Sequence, residues 1–151
     1  MRTVQKGFTL IELLVVIGIL GILLAIVLIA INPAAQFAQA NNTARHNDVN
    51  TILNAVHQYS ADHKGLLPTG ITATDQEISK AGADICAQIS PDYVSLLPVD
   101  PQVNNGVSIA DCTTSYVTGY HIVKDANGRV TVSAPGAESV RGVTPTIDVT
   151  R

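Results

Sequence analysis

A chain of 151 residues, 46% apolar, 14% charged and 4% aromatic with no tryptophan, has the length of one ordinary domain. A formal charge of −3 and a pI near 5.7 leave no basic excess for nucleic acid, and two cysteines exclude a disulfide-dense scaffold or a four-cysteine zinc site. Mean hydropathy of +0.28 with few aromatics requires the apolar residues to be concentrated: residues 1–44 carry only Arg2, Lys6 and Glu12, and every other charge follows from Arg45 onward, a distribution that argues against a purely cytoplasmic soluble enzyme.

From Leu13 to Ile31 the chain has no charge and no strong hydrogen-bonding side chain. As a helix this stretch rises roughly 28 Å, about one hydrocarbon core. Arg2 and Lys6 precede it, so the positive-inside rule leaves that end in the cytoplasm. A secretory signal peptide has a shorter apolar region followed by small residues at a cleavage site. Here the run passes through Asn32-Pro33 into a segment that reads as further helix. A plain signal anchor fits most of this, but Glu12 lies inside the apolar stretch. An unpaired carboxylate at that depth costs at least a few kcal/mol, so such acids usually mark a function and a partner.

The nine positions Lys6-Gly7-Phe8-Thr9-Leu10-Ile11-Glu12-Leu13-Leu14 resemble the prepilin signature of type IV pilins and of the related pseudopilins of type II secretion. The resemblance implies cleavage between Gly7 and Phe8 by a prepilin peptidase that also methylates the new Phe8 amine. Gly7 suits a cleavage site, since a residue without a side chain admits close approach to the backbone. Loss of residues 1–7 removes Arg2 and Lys6 and takes the formal charge from −3 to −5 before the new amine is counted. The resemblance further implies that Glu12 pairs with the N-terminal amine of a neighbouring subunit, offsetting the burial of both charges and setting axial register. The alternative for Glu12 is snorkelling to the interface. Gly18 and Gly21 are small residues that let helices approach closely in a membrane. The resemblance adds helix flexibility between Gly18 or Gly21 and Pro33, while Asn32-Pro33 also reads as an N-cap followed by a first helical position.

Residues 33–64 continue as an amphipathic helix. Val49, Ile52, Leu53, Val56 and Tyr59 form an apolar stripe, with Arg45, Asp48, Asn54, His57 and Gln58 expected mostly elsewhere. A helix from Phe8 to about Lys64 would be roughly 85 Å long. Lys64-Gly65 reads as a basic last turn and a glycine cap. Ser90–Leu97 reads as a short helix with Ser90 as cap and Pro91 at its first position. Leu97-Pro98-Val99-Asp100-Pro101 then imposes an extended exit.

The clearest strands are 116–123 and 129–134, joined by Lys124-Asp125-Ala126-Asn127-Gly128 as a hairpin loop. Two strands are marginal, so a third is expected from residues 143–150, where Pro145 restricts it to an edge or a disordered end.

On this topology Cys86 and Cys112 lie outside the membrane. A disulfide between them would close a loop of 27 residues and contribute roughly 3.5 kcal/mol by chain entropy, and two unpaired buried thiols are the alternative. Some pseudopilin heads bind calcium near this region, but Asp100 and Asp111 fall short of the six or more oxygen ligands it needs. No metal and no cofactor are expected. Asn41-Asn42-Thr43 fits a glycosylation sequon. There is no phosphate loop, no Gly-x-Ser-x-Gly motif and no metal-spaced histidine cluster, since His46, His57, His63 and His121 are scattered.

The sequence is thus read as non-enzymatic and α+β: a long N-terminal hydrophobic helix, transmembrane then amphipathic, packed on a small C-terminal antiparallel sheet. Its divisions are a leader at 1–7, a membrane and filament-core helix at 8–32, an amphipathic half at 33–64, a connecting region at 65–115 and a sheet with tail at 116–151. The resemblance implies a structural subunit that leaves the cytoplasmic membrane to form a helical surface filament, with adhesion, motility and DNA uptake all open as its use. Its implied partners are further copies of the chain, minor pilins, the prepilin peptidase and methyltransferase, and indirectly a membrane platform protein and an assembly ATPase. Two alternatives remain at this point: a pseudopilin of a type II secretion or competence pseudopilus, and a membrane-anchored extracytoplasmic binding domain.

Overall fold

The computed structural model describes residues 7–151, which fall into two compact units, one ending at Gln36 and one spanning Phe37–Arg151. The first is built on helix α1 (Leu10–Ile31), whose unbroken Leu, Ile and Val content suits a segment that must satisfy its backbone hydrogen bonds internally. Gly18 and Gly21 sit inside α1, and a Cβ added at either meets nothing within 4 Å. The helix stops at Asn32, whose φ of 46° and ψ of 77° are left-handed. Pro33 then opens α2 (Pro33–Asp62), with the Asn32 carbonyl accepting from the Ala35 N–H at 3.1 Å. Proline suits this first position because its missing N–H would be unpaired there in any case.

Most of α2 belongs to the second unit. Val49, Ile52, Leu53 and Val56 are fully buried and Tyr59 is half-buried, as the apolar stripe predicts. They pack with Ile78, Ile85, Ile89, Leu97, Tyr120, Ile122, Val130, Val132 and Ile147 in one core. The helix ends at Asp62, and both Lys64 and Gly65 are left-handed, so Lys64 belongs to the cap rather than to the last turn.

Strands β1 (Gln76–Ser79), β2 (Val117–Lys124), β3 (Val130–Ser133) and β4 (Asp148–Thr150) form an antiparallel sheet in the order β1-β2-β3-β4. The two strands read from the sequence are β2 and β3. The Asp125 side chain organises their connection, accepting from the backbone N–H groups of Asn127 and Arg129, each at 2.8 Å. The tail supplies β4 at the sheet edge, downstream of Pro145. Strand β1 was not foreseen. The long apolar helix ahead of a small antiparallel sheet is the α+β class expected.

The short helix is displaced from its expected place. Residues 90–97 contain no helix; instead α3 (Cys86–Ile89) precedes Pro91 and ends at Ser90, which is extended at φ −110° and ψ 138°. A residue before proline is disfavoured in the helical region, which makes Ser90 a stop rather than a cap. Burial of Ile85, Cys86 and Ile89 draws the helical turn forward into the core.

A second correction concerns Arg45, whose side chain has 0% exposure instead of facing solvent. Buried Ala38, Asn42, Arg45, Val49, Ile52 and Val56 are separated by alternating steps of four and three residues, so Arg45 lies on the buried stripe by spacing. Its Nε and Nη2 donate to the two carboxylate oxygens of Asp100 at 2.6 and 2.9 Å. Its Nη1 donates to Glu138 Oε2 at 2.8 Å and to Asn42 Oδ1 at 3.0 Å. Asn42 also donates to the Glu138 carbonyl at 2.8 Å and accepts from the Glu138 N–H at 2.9 Å. Beside this cluster, burial pushes the Asp48 carboxyl upward, partly opposed by the Tyr120 hydroxyl that donates to it at 2.7 Å. The Arg45 guanidinium, with help from the Asn41 amide, holds the Glu138 carboxyl below its usual range.

Removing one partner of a buried ion pair strands the other, at about 3–5 kcal/mol. Arg45→Met should therefore lower unfolding stability by that order, and adding Asp100→Asn should recover part of the loss. Denaturant unfolding of the full chain in detergent micelles, followed by tyrosine near-ultraviolet circular dichroism, measures both. Glu138 has a depressed folded pKa, so its contribution is complete above the ordinary value of 4.5 and is lost as pH falls through the depressed one. The stability gap between wild type and Glu138→Gln should stay constant above about pH 5.5 and close below pH 4.5. Asp48 titrates in the opposite sense in both proteins and cancels from the difference.

Candidate functional site at the start of the apolar helix

The residues singled out at the N-terminus converge on the first turn of α1. Gly7 is exposed, with open space where a Cβ would sit, and Phe8 is 90% exposed. Thr9 is the N-cap, extended at φ −84° and ψ 151°, and with Glu12 it closes a capping box. The Glu12 N–H donates to Thr9 Oγ1 at 3.3 Å, and Glu12 Oε2 accepts from the Thr9 N–H at 2.8 Å and the Thr9 hydroxyl at 2.7 Å. All of these side-chain contacts fall on Oε2, which leaves Oε1 without a partner among the described residues. Thr9 is the residue that the sequence reading passed over. Its signal was present, since Thr-x-x-Glu ahead of an apolar run is a capping-box pattern.

Every described side chain from Leu10 to Ile31 is exposed, and α1 has no polar face. Leu10–Ile29 is long and apolar enough to cross a membrane. Arg2, Lys6 and the rest of the expected leader before Gly7 lie outside the described residues.

The remaining candidates are dispersed. Gly18 and Gly21 lie along α1, and Pro33 opens α2. Cys86 and Cys112 are joined by a disulfide with Cα atoms 5.5 Å apart. Asp100 is committed to Arg45, whereas Asp111 accepts from the Thr113 N–H and hydroxyl at 2.8 and 2.6 Å, so the two acids serve separate local structures. Among the described residues no cluster of three or more His, Cys, Asp or Glu side chains could hold a metal. The sequon amide of Asn41 donates to Glu138 at 2.8 Å. His63 stacks on Tyr59, His121 contacts Asp75 at 2.9 Å, and the buried Nε2 of His57 has no partner among the described residues.

Among the described residues, the fold and this segment define a protein with one membrane-length helix, a capped glutamate at its start and an α+β head. Residues 2–28 match the family described as the prokaryotic N-terminal methylation motif. The chain is 40% identical over 117 residues to the type IV major pilin protein PilE of Neisseria gonorrhoeae, covering 78% of this chain and 62% of that one. It is 38% identical over 112 residues to the fimbrial protein EcpC of Eikenella corrodens, covering 73% of this chain and 64% of that one. A fimbrial protein of Neisseria meningitidis serogroup B is 38% identical over 117 residues, covering 78% and 61%. Along its matched residues the chain is similar to type IV pilins and fimbrial proteins. It spans less than two thirds of the length of these curated relatives. No solved structure matches it.

Replacing an N-cap threonine by alanine costs about 1 kcal/mol of helix stability. Thr9→Ala should fray the first turn of α1, raising amide exchange at Leu10 to Leu13 several-fold while leaving Leu20 to Leu28 unchanged. Hydrogen-exchange NMR of the chain in micelles reads this directly.

Proposed function

We propose that this chain is a structural subunit of a type IV pilus-like surface filament. One observation carries the reading: α1 is apolar on every side and exposed along its whole described length, with a single carboxylate at its first turn. Such a helix must be covered by lipid or by other helices. The methylation motif over the same residues and the pilin and fimbrial relatives support the second covering as the functional one.

In this reading residues 1–7 are a leader on the cytoplasmic side of the membrane. A prepilin peptidase cleaves between Gly7 and Phe8, where the open surroundings of Gly7 favour access, and the Phe8 amine is methylated. Residues 8–32 hold the subunit in the cytoplasmic membrane and then form the filament core. Residues 33–64, 65–115 and 116–151 make up the head. The Phe8 ammonium of one subunit approaches Oε1 of Glu12 on a neighbour, while Thr9 keeps Oε2 engaged. Pairing in trans offsets the burial of two charges and sets the axial register of entry. The stretch from Gly18 and Gly21 to Pro33 is helical to Ile31 in the isolated chain and supplies flexibility in the fibre. Minor pilins, a membrane platform protein and an assembly ATPase complete the system, and the subunit itself has a structural and not a catalytic role.

Mass spectrometry of the chain isolated from cells should give an N-terminus at methylated Phe8. Immunogold microscopy of the same cells should label surface fibres. An N-terminus at Met1, or a cut after Ile31, would overturn the reading.

Glu12→Leu should leave membrane insertion and cleavage intact, because it makes the helix more apolar and spares the Gly7-Phe8 junction. It should reduce fibre yield, since the Phe8 amine then has no acceptor and an uncompensated buried charge costs several kcal/mol at each contact. In mixed expression the variant should enter fibres less often than wild type. Equal incorporation at normal yield would show that Glu12 has no part in register.

A further inference from the structure

Four polar contacts connect the two half-cystines by a path that avoids their sulfurs. The Cys86 N–H donates to the Tyr116 hydroxyl at 3.3 Å, and that hydroxyl donates to Asp84 Oδ1 at 2.8 Å. Lys80 Nζ lies 2.9 Å from Asp84 Oδ2 and donates to the Cys112 carbonyl at 3.0 Å. The Lys80 backbone N–H also donates to the Tyr116 carbonyl at 3.0 Å, which ties Lys80 to Tyr116 directly as well as through Asp84. With the disulfide the path closes into a ring. Tyr116 and Cys86 are buried, Cys112 is half-buried, and Lys80 is exposed. Burial and the neighbouring Asp84 carboxylate push the Tyr116 hydroxyl well above its ordinary pKa, so it remains a donor throughout the physiological range.

We propose that Lys80, Asp84 and Tyr116 form a clasp that aligns the Cys86 and Cys112 thiols for closure by a low-molecular-weight disulfide, with Cys112 as the point of entry. With oxidised glutathione, the Cys112 thiolate attacks one glutathione sulfur. The glutathione S–S bond breaks, and the departing thiolate takes up a proton. The Cys86 thiolate then attacks Cys112 Sγ, breaking the mixed disulfide and releasing the second glutathione. Two protein thiols are oxidised, and one glutathione disulfide is reduced to two thiols. The clasp acts on the second step only, because it fixes the backbone of both cysteines and so restricts the chain ends that must meet. Lys80, Asp84 and Tyr116 are positioning residues, and the inference is independent of filament assembly.

The test uses the full chain in detergent micelles, reduced, freed of reductant and exposed to oxidised glutathione. Acid-quenched samples are analysed by mass spectrometry for thiol, mixed-disulfide and closed forms. In wild type the mixed disulfide should not accumulate. Lys80→Met and Tyr116→Phe should each slow closure about three- to fivefold, the range expected for one contact of this kind. Both variants should build up glutathione on Cys112 with the first step unchanged, and Lys80→Arg should restore wild-type closure. Lys80 is exposed, so its replacement leaves the core intact if Tyr116→Phe perturbs folding. Closure at wild-type rate in Lys80→Met, slowing confined to the first step, or glutathione trapped on Cys86 would each overturn the proposal.

Discussion

The buried guanidinium of Arg45 constrains the head more than any other side chain. Removing an arginine from water costs several kcal/mol, repaid only when well-placed acceptors surround it. Here they come from three segments distant in sequence: Asn42 on α2, Asp100 in the loop after α3, and Glu138 between β3 and β4. Bringing Asp100 to Arg45 dictates its surroundings. The Asp100 N–H donates to the Thr118 carbonyl at 2.8 Å, and β2 bends beside it through Gly119 at φ +78°. A Cβ at Gly119 would lie 2.9 Å from Val103 Cγ2 and 3.0 Å from Asp100 Cβ. The bulge between β1 and β2 falls at this bend, where Glu77 faces His121 but Ser79 faces Val117. The acid that meets Arg45 therefore also leaves no room for a side chain at Gly119, beside the irregular register of β1 and β2.

The two units meet the demand for burial in opposite ways. The head covers its apolar stripe with its own sheet and loops, and its one deeply buried cation has acceptors within the same unit. The described side chains of helix α1 are exposed and, apart from Glu12, carry no charge to give to water. Lipid solves this without specificity, since hydrocarbon tails cover leucine as well as another helix does. Packing of small residues and a charged pair are what distinguish a neighbouring helix from lipid. On the filament reading proposed above, Gly18, Gly21 and Glu12 are among the positions in α1 that offer them.

What the sequence disclosed and what it concealed follow from the range of the forces involved. The apolar helix was legible because length and composition alone determine it. The stripe on α2 was legible through Val49, Ile52, Leu53 and Val56, but Arg45 was assigned to solvent because its charge outweighed its spacing. Only the distant Asp100 and Glu138 make that position habitable, and no local pattern announces them. Strand β1 is four residues whose burial depends on pairing with β2, some 40 residues later, so no local alternation marks it. Capping chemistry puts the short helix at Ser90–Leu97 with Pro91 in its first position, whereas tertiary burial of Ile85 and Ile89 draws it ahead of Pro91. At the site, Glu12 is legible through its cost in an apolar setting, whereas Thr9 carries no charge and shows itself only through the Thr-x-x-Glu spacing of the capping box.

That cap alters how the carboxylate should be regarded. An acid in an apolar helix is costly chiefly because its oxygens lose water. Thr9 restores two donors to Oε2, from its backbone and from its hydroxyl, within the same turn. The same box supplies Thr9 Oγ1 as an acceptor for the Glu12 N–H, one of the groups at a helix start that has no partner inside the helix. The isolated chain thus carries Glu12 at lower cost than a bare carboxylate, which is compatible with a subunit that resides in a membrane before it meets a neighbour. Oε1 has no such donor among the described residues. On the filament reading proposed above, an ammonium arriving from a neighbouring subunit completes a partly satisfied group instead of displacing an existing contact, so the capping box persists on both sides of assembly.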